Sequence, residues 1–318
     1  MLSYLIGRVT QGVFLLILVS IFTFGLIKMA PGGPAILMDP NIGPEQAKEM
    51  EKILGLDKPI HIQYFKWAGN LIRGDWGKSF GMAQPVREIV MGRLPATMIL
   101  ALASIAVAIA LGVFLGTMSA IKKDTLWDSI ITFISFSGIS IPSFWFGLML
   151  ILFFSVYLGI LPSSGMLTVD AESSIFDFLA HLIMPALVLG LVNMAQIARY
   201  TRSSVLSVLK EDYVRTARAK GLSFNVVLFK HVLRNALLPI VTMIGMLIPR
   251  VASGAAITET VFAWPGLGRL AVSAAFQRDY PVIMAVTLLV SFVVIISTLV
   301  TDLIYTIIDP RIKLEKQE

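Results

Sequence analysis

The run from Leu94 to Ile121 contains no Asp, Glu, Lys, Arg or His, and a helix of roughly 20 apolar residues already crosses the ~30 Å hydrocarbon core of a bilayer. A soluble fold of ordinary size has no place to hide such a run. Comparable stretches recur at Val9 to Ile27, Ser129 to Leu158, Phe178 to Ala198, Ala236 to Thr258 and Pro281 to Thr301. The expectation is an all-α polytopic membrane protein with about six spanning helices. With 56% of residues hydrophobic and only 14% charged, the bulk composition agrees. The unbroken apolar runs exclude a membrane β-barrel, whose segments alternate apolar and polar over about ten residues. Span 1 lacks a cleavable small-residue site and reads as an anchor, not a signal peptide.

Polar chemistry is sparse. There is no cysteine, so disulfides, thiolate metal sites and cysteine nucleophiles are out of reach. His61, His181 and His231 are scattered without ligand spacing, and no metal site is expected. The net charge of +6 is spread over loops between spans, which argues against nucleic acid. Its distribution reports topology instead. Arg8, the Lys122/Lys123 turn, the Arg199 to Arg234 segment and the tail with Arg311, Lys313 and Lys316 fall on one side, so both termini are expected in the cytoplasm. The Leu158 to Asp177 connection has no Lys or Arg and belongs outside.

The expected organisation is an N-terminal spanning helix (1–28), an extracytoplasmic segment with short helices (29–93), a five-helix transmembrane domain (94–308) with a cytoplasmic loop (199–235), and a cytoplasmic tail (309–318). In the outer segment, Pro44-Glu45 opens a helical run and Gly55 closes it, while Ile60 to Ile72 mixes Tyr64, Phe65 and Trp67 with Lys66, as suits a helix at the membrane interface. In the cytoplasmic loop, Glu211 and Asp212 precede Arg215, Arg218 and Lys220, and Gly221 follows. Acids at the start, bases at the end and a terminal glycine complement the helix dipole and its stop. The spacing predicts a short helix from about Glu211 to Lys220, with Tyr213, Ala217 and Lys220 on one face as a docking surface. A solvated basic helix beside anionic headgroups is the plainer reading of the same residues.

Asp212-Tyr213-Val214-Arg215-Thr216-Ala217-Arg218-Ala219-Lys220-Gly221-Leu222, followed by His231-Val232-Leu233-Arg234-Asn235-Ala236, resembles the coupling loop of ABC importer permeases, specifically the peptide-permease branch. Arg215-Thr216-Ala217 occupies the place of the family's Glu-Ala-Ala triplet, and Gly221 keeps the spacing. The resemblance extends to Ala30-Pro31-Gly32-Gly33-Pro34, Gly74-Asp75-Trp76-Gly77-Lys78-Ser79, Arg93-Leu94-Pro95-Ala96-Thr97, Gly138 to Trp145, Glu259 to Gly268 and Asp309-Pro310-Arg311. Two positions depart from that pattern: Gly33, where an acid is usual, and Arg250, in a stretch usually small and apolar.

The resemblance implies a type I ABC importer transmembrane fold forming half of a translocation pathway for dipeptides or oligopeptides. It implies a second homologous permease, two cytoplasmic ATPases that use the ATP and Mg, and an extracytoplasmic solute-binding protein. The coupling residues would be Glu211, Asp212, Tyr213, Arg215, Thr216, Ala217, Lys220 and Gly221. Gly77-Lys78-Ser79 is not a phosphate-binding loop, because Ile72 stands where such a loop needs glycine. No cofactor and no catalytic residue are therefore expected in this chain. Arg250 and Pro142 are candidates for the path. An arginine at membrane depth normally faces a polar partner or a water-filled cavity, and a proline kinks its helix. Alternatives are a glutathione or nickel-chelate importer of the same family, an ion-coupled secondary carrier, or an assembly subunit.

Overall fold

A computed structural model describes residues 2–29, 43–168, 174–237, 240, 243, 247 and 255–308. Every named element is helical: α1 Leu2–Met29, α2 Pro44–Leu54, α3 Ile60–Ile72, α4 Val86–Ile121, α5 Leu126–Ser140, α6 Ser143–Leu150, α7 Ile175–Val208, α8 Asp212–Ala219, α9 Phe224–Val226, α10 Arg234–Ala236, α11 Leu267–Phe276 and α12 Tyr280–Ile308. Wider π-helical turns continue α6 over Ile151–Tyr157 and join α9 to α10 over Val227–Leu233. Four helices among the described residues are long and apolar enough to cross a bilayer: Ile6–Met29, Val86–Ile121, Ile175–Val208 and Tyr280–Leu303. They match expected spans 1, 2, 4 and 6. Most of expected span 5, including Arg250, lies outside the described residues.

Span 3 corrects the sequence reading. One helix kinked at Pro142 was expected from Ser129 to Leu158, whereas the chain forms two helices. α5 ends at Ser140, Ile141 is extended (φ −82°, ψ 126°), and Pro142 caps α6. The residue before a proline is sterically pushed out of the α region, and proline itself suits a helix start. The interruption is therefore complete.

The chain's contacts divide into two compact units. The first comprises residues 1–97 and 265–296, with a tail end outside the described residues. Its core gathers Val86 and Val90 from α4, Leu267, Leu270 and Ala274 from α11, and Val282, Ala285 and Val286 from α12. α3 lays Tyr64 and Trp67 against α1. Both rings meet Phe24, at 5.5 and 5.9 Å, and the Tyr64 hydroxyl pairs with Ser20 at 2.8 Å. The opposite side of α3 exposes Phe65, in keeping with an interfacial helix.

Two motifs of the first unit find their uses here. The Ser79 hydroxyl donates to the buried Asp279 carboxylate, which also accepts the Gly81 N–H at 3.1 Å. Thr97 Oγ1 accepts the Leu267 N–H at 2.7 Å, satisfying one of the orphan donors at the start of α11. Both pairs bind segments that lie far apart in sequence, so these motif residues hold the fold.

The second unit comprises 98–264 and 297–315. Small residues let α4 and α7 cross closely. A Cβ on Gly116 would stand 2.4 Å from the Ala198 carbonyl oxygen, and one on Gly112 would stand 2.7 Å from Ile197. Spanning helices commonly associate through such small residues, because lipid supplies no hydrophobic drive between them. Met184 and Val188 of α7 pack with Phe262, and the fully buried Trp264 lies 6.2 Å from Phe178.

Candidate functional site

α8 forms where the charge pattern placed it. Glu211 is its N-cap, Asp212 sits in its first turn, Arg218 in its last, and Lys220 is its C-cap. Gly221 follows at φ +77°, a left-handed conformation that glycine adopts without steric cost. Its N–H donates to the Arg218 carbonyl at 2.9 Å. The helix stop is thus built as the sequence suggested.

The docking face needs correction. Ala217, expected to lie open for a partner's close approach, is buried together with Val214. These two side chains enter a cluster with Ala120 of α4, Val205 of α7, and Val227, Leu228, Val232 and Ala236 of the following helical turns. Apolar residues three apart on a short helix share a face, and here that face belongs to the chain's own core. Tyr213 remains part exposed, its hydroxyl accepting from Asn235 Nδ2 at 3.1 Å. Asn235 also donates to the His231 carbonyl at 3.0 Å. The two halves of the resembling loop, 212–222 and 231–236, are therefore hydrogen-bonded to each other.

Glu211, Asp212, Arg215, Thr216, Arg218, Ala219 and Lys220 stay exposed. Thr216 donates to the Asp212 carbonyl at 2.9 Å, and Arg215 approaches the Asp212 carboxylate at 3.4 Å. Such an exposed pair contributes little stability. The face is consequently charged, solvated and free to exchange its contacts for another protein's.

An ion pair that sequence reasoning missed supports this end of the unit. Arg202 of α7 donates Nε and Nη2 to the Asp128 carboxylate at 2.9 and 2.7 Å, and the Ser119 hydroxyl of α4 donates to the same group. Asp128 precedes the expected span, and the Arg202 guanidinium holds its carboxyl well below the usual carboxylate range. The only sequence signal was an acid just after the Lys122/Lys123 turn. Its partner, 74 positions away, carried none.

Of the two path candidates, Pro142 is an exposed helix cap, and Arg250 lies outside the described residues. Among the described residues no group of acidic or histidine side chains could hold a metal.

Residues 108–314 match the family described as binding-protein-dependent transport system inner membrane component, and residues 1–101 match the N-terminal region of the same kind of membrane component. The chain is 46% identical over 315 residues to the oligopeptide transport system permease protein AppB of Bacillus subtilis, covering 98% of this chain and 100% of that one. It is 40% identical over 333 residues to the di/tripeptide permease DppB of Pseudomonas aeruginosa, covering 98% and 99%. To the dipeptide permease DppB of Escherichia coli it is 38% identical over 339 residues, covering 99% and 100%. Among solved structures, the methionine ABC transporter MetNI in inward-facing conformations aligns with a TM-score of 0.55 at 18% identity, over 72% of this chain and 100% of that one. That likeness concerns the fold, which is the all-α transmembrane fold of type I ABC importers. An ion-coupled carrier is set aside by these matches, and the chain belongs to the family of binding-protein-dependent transport system inner membrane components.

Proposed function

We propose that this chain forms half of the translocation pathway of an ATP-driven peptide importer in a prokaryotic cytoplasmic membrane, with both termini in the cytoplasm. The observation that carries the cargo is the full-length similarity to permeases named for oligopeptides, di/tripeptides and dipeptides. A second permease, two ATPases and an extracytoplasmic solute-binding protein complete the assembly, and ATP hydrolysis belongs to the ATPase subunits. Glutathione and nickel chelates are not named by these relatives, so peptide is the favoured cargo.

In this reading α8 is the coupling helix, and what supports it is a charged, exposed rod seated on an apolar cluster. Its outer residues, Asp212, Arg215, Thr216 and Lys220, touch the ATPase, and Val214 and Ala217 transmit the movement inward. Rigid elements packed this way move with what holds them.

Because the chain has no cysteine, single-cysteine variants test the assignment cleanly. With the cognate ATPase coexpressed, Thr216→Cys is expected to crosslink to a cysteine in the ATPase cleft, and Ala217→Cys is expected not to. Crosslinking from neither position, or from Ala217→Cys alone, sinks the assignment. Arg215→Glu should lower peptide uptake by roughly tenfold, the effect of reversing a charge in a close interprotein contact. Its amount in the membrane should stay unchanged.

A further inference from the structure

Between α4, α5 and α7 the second unit holds an open cavity of about 250 Å³. That is several times the roughly 30 Å³ share of one water and below the range of drug-sized ligands. A small polyatomic group fits it. Gly116 and Ala198, which meet at the close crossing, line it together with Thr132, Gln196, Arg199 and Arg202.

The donors are unevenly used. Arg202 commits its Nε and Nη2 to Asp128, leaving Nη1 and its two hydrogens for another acceptor. Arg199 is exposed, with its guanidinium 5.7 Å from the centre of the Tyr200 ring. Stacking on an aromatic face leaves the in-plane N–H groups of a guanidinium available. Thr132, on α5, is exposed and lines the cavity. Arg199 and Arg202 line the cavity and Asp128 pairs with Arg202, +2 − 1, while the neighbouring Asp124 pairs with Lys123 at 3.4 Å, so the surroundings carry an excess of one positive charge.

Planar guanidinium donors beside a hydroxyl, with net positive charge, recognise phosphate oxygens. The cavity lies at the end of α4, just before the Lys122/Lys123 turn in the chain. Basic pockets between spanning helices near that kind of boundary take anionic headgroups. The geometry points to a phosphate-binding site in this cavity, for a singly charged oxyanion carried by an anionic phospholipid headgroup or present as free phosphate. Arg199 supplies the charge, and Arg202 and Thr132 orient the oxygens. The site is separate from the outer face of α8 and does not depend on what that face docks.

The experiment uses the full chain in a neutral detergent, with thermal unfolding followed as phosphatidylglycerol, phosphatidylcholine or inorganic phosphate is added. Phosphatidylglycerol is expected to raise the unfolding temperature where phosphatidylcholine does not. Arg199→Gln should weaken that effect roughly tenfold, the scale of one charge-assisted hydrogen bond. Thr132→Val should weaken it by less. Lys122→Gln, an exposed lysine outside the cavity, should leave it nearly unchanged. Protection by inorganic phosphate with the same variant pattern would identify the source as the soluble anion, and its absence would identify the lipid. Equal weakening by Arg199→Gln and Lys122→Gln would mean diffuse surface attraction and overturn the site. So would protection by neither phosphatidylglycerol nor phosphate.

Discussion

Replacing Gly116 with leucine is expected to prevent the second unit from assembling, with a loss of about 3 kcal/mol or more, the upper part of the range for overpacking. The added Cβ alone would sit 2.4 Å from the Ala198 carbonyl oxygen and 2.6 Å from the Thr201 Cβ. A backbone oxygen inside a helix cannot swing aside as the tip of a flexible side chain can, so α4 and α7 must separate. Alanine at this position should already destabilise, although in a helix interior it is otherwise favoured over glycine by roughly 1 kcal/mol. Gly92 lies in the same helix, and a methyl group added there would meet nothing within 4 Å, so the same substitution should be neutral or slightly stabilising. Fluorescence-detected size exclusion and thermal unfolding of the two alanine variants make the comparison. Equal behaviour of Gly116→Ala and Gly92→Ala would refute the close crossing.

The second large effect concerns Asp128. Its replacement by alanine leaves the Arg202 guanidinium without its ion-pair partner and the Ser119 hydroxyl without its acceptor. Breaking one side of a buried pair costs about 3 to 5 kcal/mol. Arg202 is only partly buried, its side chain keeping 32% of its exposure, so the lower end, about 3 kcal/mol, is expected. The double variant Asp128→Ala/Arg202→Ala should recover part of that loss, because the stranded charge is gone. A double-mutant cycle on unfolding temperatures measures the coupling.

The pH dependence follows from the direction of the shift. Asp128 ionises more readily in the folded chain than in the unfolded one. The pair's contribution is therefore complete above the ordinary carboxylate value of about 3.9 and falls away as pH drops below it. From about pH 5 upward the gap between the wild type and the alanine variant should not change with pH.

Much of this architecture was legible because the bilayer forces it. Spans 1 and 6 could be placed to within about three residues, and spans 2 and 4 fell inside helices of which the first starts eight residues earlier and the second ends ten residues later, since long uncharged runs have no other fold open to them. α2 and α8 were legible from Pro44, Gly55, Glu211 and Gly221, residues whose backbone preferences act locally. Where the reading failed, the deciding interaction was distant in sequence. Ala217 reads as a small outward residue by its spacing, yet it packs in one cluster with Ala120 and Val205. The Asp128 and Arg202 pair joins positions that no local pattern relates. Whether Pro142 bends a helix or ends it depends on the backbone of Ile141, which sequence does not display.

Ala217 and Val214 have a mechanical consequence. Because they are sunk among side chains of α4, α7 and the turns after α9, α8 is no loose handle on a flexible tether. A push on its outer surface meets packed hydrocarbon immediately behind, with no slack to absorb the stroke. The ends of two long membrane helices would have to yield together, and under the proposed coupling role this eight-residue rod would be the tooth by which a much larger gear is turned.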